Sequence, residues 1–103
     1  MYQLKYLELA KEDMNNIIRY INENLHNRTA AENMAIDFIN NATKILAFPY
    51  ANMKFIPFSP LKFEYRYRRI KNYLMFYRID KENKIITIMR VLYQKRNLEQ
   101  FLE

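Results

Sequence analysis

Glycine is absent from this sequence. Every backbone position that needs a positive φ must then fall to another residue, and asparagine and aspartate tolerate the left-handed region best. Asn27, Asn72 and Asn83 each stand at a break in the hydropathy pattern and are the expected positions. The same absence excludes a glycine-rich phosphate loop of the Walker or dinucleotide type. Cysteine is absent too, which removes disulfides, thiolate zinc sites and thiol catalysis, and suits a reducing compartment. His26 is the only histidine; it falls in an interhelix loop with no second ligand at metal spacing, so neither a metal site nor a bound cofactor is expected. No stretch approaches the ~18 uncharged apolar residues of a membrane span. The N-terminal MYQLKYLELAKED lacks an apolar core followed by a small-residue cleavage site. The expectation is a cytoplasmic protein without a membrane partner.

At 103 residues, half of them apolar, the chain has enough material for one modest core and is read as a single domain, 1–103. Tyr2 to Leu7 alternates in hydropathy as a half-buried strand does. From Glu8 the period lengthens: Ala10, Met14, Ile17, Ile18, Ile21 and Leu25 form one face of a helix that stops near Asn24 to Asn27. Thr29 and Glu32 have the spacing of a capping box for a second helix. Its apolar face carries Ala31, Met34, Phe38, Ile45 and Leu46, and Pro49 ends it. Carboxylates such as Glu12 and Asp13 read as solvent-facing, and neither helix is basic enough to enter a nucleic-acid groove. Pro49 to Lys62 holds all three prolines and reads as an irregular connection, with Tyr50, Phe55, Ile56 and Phe58 tucked under a sheet. Three strands follow: Glu64–Ile70, Tyr73–Ile79 and Ile85–Tyr93. They are joined at Lys71-Asn72 and Asp80–Lys84, and a helical turn lies over Asn97–Leu102. The last strand is apolar on both alternations, the mark of a central strand. The order β-α-α-β-β-β predicts an α+β fold: a twisted antiparallel sheet with an αα-hairpin on one face. The other face is left open, or covered by something outside the chain.

Positive charge is concentrated in the same place. Lys62 to Arg96 carries eleven Lys/Arg against three acids, a local net of +8, while the rest of the chain nets −2. Three acids cannot pair eleven bases. Taken singly, an arginine on an outer strand is a solvated residue with a local partner. Taken together, Arg66, Arg68, Arg69, Arg78, Arg90, Tyr93, Lys95 and Arg96 are the expected target-binding set, with Arg78 and Arg90 turned away from the helices because a charge there would be costly. Such a surface suits a polyanion or an acidic protein.

The runs RRIKNYLMFYRID and ITIMRVLYQKRNLEQFL, with Pro60-Leu61-Lys62 and the preceding strand–helix–helix order, resemble the RelE/ParE superfamily of type II toxin–antitoxin toxins. The resemblance covers nearly the whole chain and implies a small bacterial toxin neutralised by a cognate antitoxin that wraps the sheet and helix grooves. RelE- and YoeB-like members of that superfamily cleave mRNA on the ribosome by attack of a 2′-hydroxyl on the adjacent phosphate, which needs proton transfer and cations. Their arginine in the middle strand falls at Leu74, a YoeB-like glutamate at Ser59 and its histidine at Leu92. Tyr93, with Arg90, Lys95 and Arg96, is what remains of a catalytic set. The ParE-like branch acts on DNA gyrase and commonly shows an arginine, then V-L-[HY], then a basic pair. Arg90-Val91-Leu92-Tyr93 and Lys95-Arg96 are similar to that, with Asn97 where aspartate is frequent. The resemblance therefore favours a gyrase inhibitor over an mRNA endoribonuclease. A plain RNA-binding module is the reading that involves no toxin.

Overall fold

The computed structural model describes residues 1–102. Strand β1 (Gln3–Tyr6) leads into α1 (Glu8–Arg19), which ends in a π-helical turn (Tyr20–Asn24). Helix α2 (Arg28–Ala47) follows, then β2 (Met53–Lys54), β3 (Arg66–Ile70), β4 (Tyr73–Asp80), β5 (Ile85–Tyr93) and a closing 3₁₀ turn (Leu98–Phe101). The strands form one sheet in the order β1-β5-β4-β3-β2. The α+β architecture and the central place of β5 are as the hydropathy pattern predicts.

The sheet is mixed rather than wholly antiparallel: β1 runs parallel to β5, with Gln3 opposite Ile85 and Tyr6 opposite Ile88. The reason is β2. This two-residue strand pairs antiparallel with β3 and adds one chain reversal between the helical hairpin and the meander. Without it β5 would run against β1; with it the two run together.

One core lies between helices and sheet, where Ala10, Met34, Phe38 and Ile45 meet Met75, Tyr77, Ile86 and Ile88. Each large side chain so buried contributes about 1.5–3 kcal/mol. The opposite face is not open. Phe55, Leu61 and Phe63 from the 48–65 connection and Leu98, Phe101 and Leu102 from the C-terminus cover Phe76, Leu92 and Tyr65. The Tyr65 hydroxyl donates to the Leu102 carbonyl and ties this cover down. Of the four residues expected to tuck under the sheet, Phe55 does so, edge-on to Phe76 at 5.4 Å. Tyr50, Ile56 and Phe58 stay exposed.

The positive φ angles fall on His26, Lys71 and Lys84, each one residue from the asparagine expected to carry it. The asparagine side chains are employed otherwise. Asn27 caps α2 by accepting from the Ala30 N–H at 3.0 Å, displacing the predicted Thr29 box; Glu32 pairs with Arg28 instead. Asn72 bonds Gln94 and Asn83 bonds Asp80. Local hydrogen bonding thus sets where each asparagine sits, and the neighbour takes the left-handed conformation at about 1–2 kcal/mol.

Burial raises the pKa of Tyr6, Tyr73 and Tyr77 above the ordinary phenol value. These phenols lose their protons more readily in the unfolded chain, so the unfolded state binds fewer protons once pH passes the unfolded value. Their contribution is complete below that value and is lost as pH rises through the raised folded ones. Urea denaturation across the alkaline range should therefore show stability falling above pH ~10. A flat profile there would contradict the burial of these three rings.

Candidate functional site

The ends of β4 and β5 meet the π turn of α1 around a cleft of about 620 Å³. Three tyrosines converge on it, each from a different element. Tyr20 opens the π turn, where the Leu25 N–H reaches back to the Tyr20 carbonyl at 3.2 Å; such wide turns offset the side chains that follow them. Tyr73 begins β4 just after the Lys71-Asn72 turn, whose positive φ at Lys71 is what a type II′ hairpin needs at its first central residue. Tyr93 ends β5 directly opposite Tyr73, and the two rings meet edge to face at 5.9 Å. Cross-strand aromatic pairs of this kind hold both rings in place.

The polar groups of the cleft are Asp13, Asn16, Asn72 and Arg96. Arg96 follows a tight turn closed by its own N–H to the Tyr93 carbonyl at 3.1 Å, and its guanidinium lies 5.0 Å from the Phe101 ring. It is exposed and has no carboxylate partner among the described residues. Asp13, by contrast, is fully engaged. Its two oxygens accept from Arg90 Nε at 2.7 Å and Nη2 at 2.9 Å, and one also accepts the Val91 N–H at 2.9 Å. Val91 lies beyond the end of β1, where β5 has no strand on that side, so the carboxylate closes a bare sheet edge. Arg90 adds a bond to the Phe101 carbonyl at 3.0 Å. Both side chains are largely buried, 17% and 14% exposed, and the hydrogen bond to Asp13 raises the Arg90 pKa further.

The eight expected binding residues do not form one surface. Arg68 turns towards α2, its Nε donating to Asn41 at 2.6 Å, while Arg66 Nη1 donates to the Asn52 carbonyl of the connection at 2.7 Å. Arg69 bonds the Lys71 carbonyl. Arg78 stacks on Phe63 at 4.1 Å, at the other end of β4. Arg90 is not on an open face; a β-bulge puts it out of step with Ile88, and Asp13 offsets the cost of its charge. Tyr93 and Arg96 are brought together, with exposed Lys95 between them.

Sequence reasoning missed Tyr20 and Tyr73, and it read Asp13 as solvent-facing, whereas its side chain is 14% exposed and paired with Arg90. For Asp13 the signal existed. It stands three residues after Ala10 and four before Ile17, on the buried stripe of α1, and a carboxylate there needs a cation. Tyr20 and Tyr73 join the site only through the tertiary fold.

As chemistry, the cleft offers, among the described residues, rings, amides, an engaged carboxylate and the unpaired Arg96. Tyr73, the most enclosed ring, is held neutral by burial first and then by Tyr20 and Tyr93, which opposes a role as general base. No group of three or more His, Cys, Asp or Glu side chains able to hold a metal occurs among the described residues. None of the described helices is long and apolar enough to cross a membrane. Tyrosine, arginine and asparagine around an apolar floor are what a protein-binding surface presents.

A family model described as "ParE toxin of type II toxin-antitoxin system, parDE" matches residues 4–98. No curated protein matches the chain significantly. Among solved structures, one titled "Chromosomal ParDE TA system from P. aeruginosa" superposes with a TM-score of 0.72 at 17% identity, covering 90% of this chain and 96% of that one. That likeness is one of fold.

Proposed function

This chain belongs to the ParE toxin family of type II toxin–antitoxin systems, and from that premise we propose that it inhibits DNA gyrase without catalysing a reaction and is held inactive by a cognate antitoxin. Membership sets aside the RNA-binding module with no toxin role. The observation that carries the gyrase reading over the nuclease reading is what occupies the proton-transfer positions. Leu92 is 2% exposed and Leu74 packs beside it in the apolar cluster over Phe76, while Ser59 lies on the exposed connection. Two aliphatic side chains fill the places where a nuclease of this superfamily would hold its arginine and histidine. The groups left at the cleft, Tyr93 and Arg96, suit docking to a protein surface.

Purified toxin added to gyrase and relaxed plasmid is expected to block supercoiling, and prior mixing with the product of an adjacent antitoxin gene to restore it. RNA end mapping after induction is expected to show no new ends within ribosome-bound codons. Cleavage of mRNA in the ribosomal A site, with supercoiling untouched, would reverse the assignment in favour of the endoribonuclease.

A further inference from the structure

The connection between α2 and β3, with the sequence FPYANMKFIPFSP, exposes more apolar surface than any loop needs for folding. Phe58 is fully exposed and Ile56 81% exposed, and Phe48 and Met53 are mostly so. A slack loop would fold such side chains inward. This one is pinned. The Pro49 carbonyl accepts from the Tyr77 hydroxyl at 2.5 Å. The Asn52 carbonyl accepts from Arg66, the Phe55 N–H donates to the Tyr65 carbonyl at 2.9 Å, and the Phe58 N–H donates to Glu99. With Phe55 half-buried against Phe76 and the backbone fixed on both sides of it, the outward side chains are held where a partner would meet them at little ordering cost.

Next to this strap is a notch of about 150 Å³ lined by Tyr50, Phe63, Glu64, Arg66, Arg78 and Ile79. The Arg78 guanidinium lies flat enough over Phe63 to approach its ring centre to 4.1 Å, and that of Arg66 lies 5.2 Å from Tyr50. Stacking orders both forks without neutralising them. Neither makes an ion pair within 4 Å among the described residues: Glu64 is taken by Lys54 at 3.4 Å, and Asp80, which feels the Arg78 charge only at longer range, bonds Asn83. The Arg78 guanidinium has no hydrogen bond among the described residues, and the buried Arg66 Nε has no acceptor.

We propose that the strap and the Arg66–Arg78 notch form a docking site for an acidic, apolar segment of a protein partner, whose carboxylate enters the notch while its aliphatic side chains cover the strap. Charge disfavours a symmetric pair of this chain, in which two basic faces would meet. The surroundings disfavour a nucleic acid: a phosphate backbone needs a continuous basic track, whereas here Glu64 lines the notch and the flank is apolar. Arginine beside aromatic and aliphatic anchors is the composition of a protein-interface centre. The site lies at the opposite end of β4 from the Tyr93 cleft and does not depend on gyrase being the target.

The test uses the full chain labelled with ¹⁵N and three probes: the peptide Ac-Leu-Glu-Leu-Glu-Leu-NH₂, its Gln-for-Glu analogue, and hexathymidylate. The glutamate peptide is expected to shift the Nε–Hε signals of Arg78 and Arg66, with Kd at least about tenfold tighter than for the glutamine analogue, the gain of one charge-assisted contact. Arg78→Gln should weaken it about as much, and Ile56→Ser, at a position 81% exposed and outside the core, should weaken it separately. Equal binding of the two peptides, no effect of Arg78→Gln in a folded variant, or preferential shifts with hexathymidylate would overturn the proposal. So would no binding up to about 5 mM, the range of a single anchored contact. No gyrase is present, so failure here leaves the gyrase reading standing, and the reverse holds as well.

Discussion

Asp13→Ala is expected to destabilise the fold by about 3–5 kcal/mol, the cost of leaving one member of a buried pair without the other. Two further losses accompany the charge. Arg90 keeps only its bond to the Phe101 carbonyl, and the Val91 N–H at the bare edge of β5 loses its acceptor, which alone costs about 1–3 kcal/mol when no water replaces it. Residual exposure of 17% and 14% favours the lower end, so about 3 kcal/mol, or roughly 12–24 °C in Tm for a domain of this size. Arg90→Ala should fall by a similar amount, and Arg90→Lys should recover little because a point charge cannot make the fork. The double variant Asp13→Leu, Arg90→Met should be markedly more stable than either single one, since no uncompensated charge remains. Urea denaturation of wild type, Asp13→Leu, Arg90→Met and the double variant closes this cycle; additive single effects would mean that the pair is not coupled. Arg90→Ala will therefore reduce toxicity through folding, and its effect says nothing about the target surface.

Much of the fold could be read from periodicity because the elements are long enough to repeat it. Ala10 to Ile21 and Ala31 to Leu46 alternate at three and four residues, and both helices form there. The strand over Ile85–Tyr93 appears as expected, apolar on both faces because both faces are covered. What could not be read was β2, two exposed residues among prolines with no period of their own. Its existence depends on β3 as a template, and the direction of β1 against β5 depends in turn on it.

The site was legible at one end only. Tyr93 and Arg96 follow a strand whose end is visible in the hydropathy, so their proximity was a local matter. The grouping of eight residues, seven of them basic, failed because strand parity says which residues share a face and nothing of what each face meets. Arg66 and Arg68 do share one, with Ile70, but it is the face beneath α2, where Asn41 and Asn52 supply the acceptors. Charge counting likewise overlooked that an arginine can be satisfied by carbonyls, amides and rings as well as by acids. Arg68 and Arg69 are accommodated in that way.

Arg96→Ala is expected to weaken gyrase inhibition by tenfold or more while leaving the fold within the roughly ±0.5 kcal/mol typical of surface substitutions. The side chain is exposed, free of any carboxylate among the described residues and set against Phe101 at 5.0 Å, so its removal takes nothing from the core. Tyr93→Ala should cost more. It removes a ring that is 38% exposed and releases Tyr73 opposite it; truncation of such an anchor costs about 2 kcal/mol or more in a protein interface, close to thirtyfold in affinity. The conservative substitution separates docking from chemistry. Tyr93→Phe keeps the ring, its edge contact with Tyr73 and the apolar floor, and loses only a hydroxyl, so a docking surface should retain most of its inhibition. A nuclease that used the phenol for proton transfer would lose about 10²–10⁴-fold in rate. Supercoiling inhibition measured for wild type, Arg96→Ala, Tyr93→Ala and Tyr93→Phe, with Tm for each, reads both quantities at once. Loss of toxicity in Tyr93→Phe with an unchanged Tm would place the phenol in a reaction and sink the docking assignment.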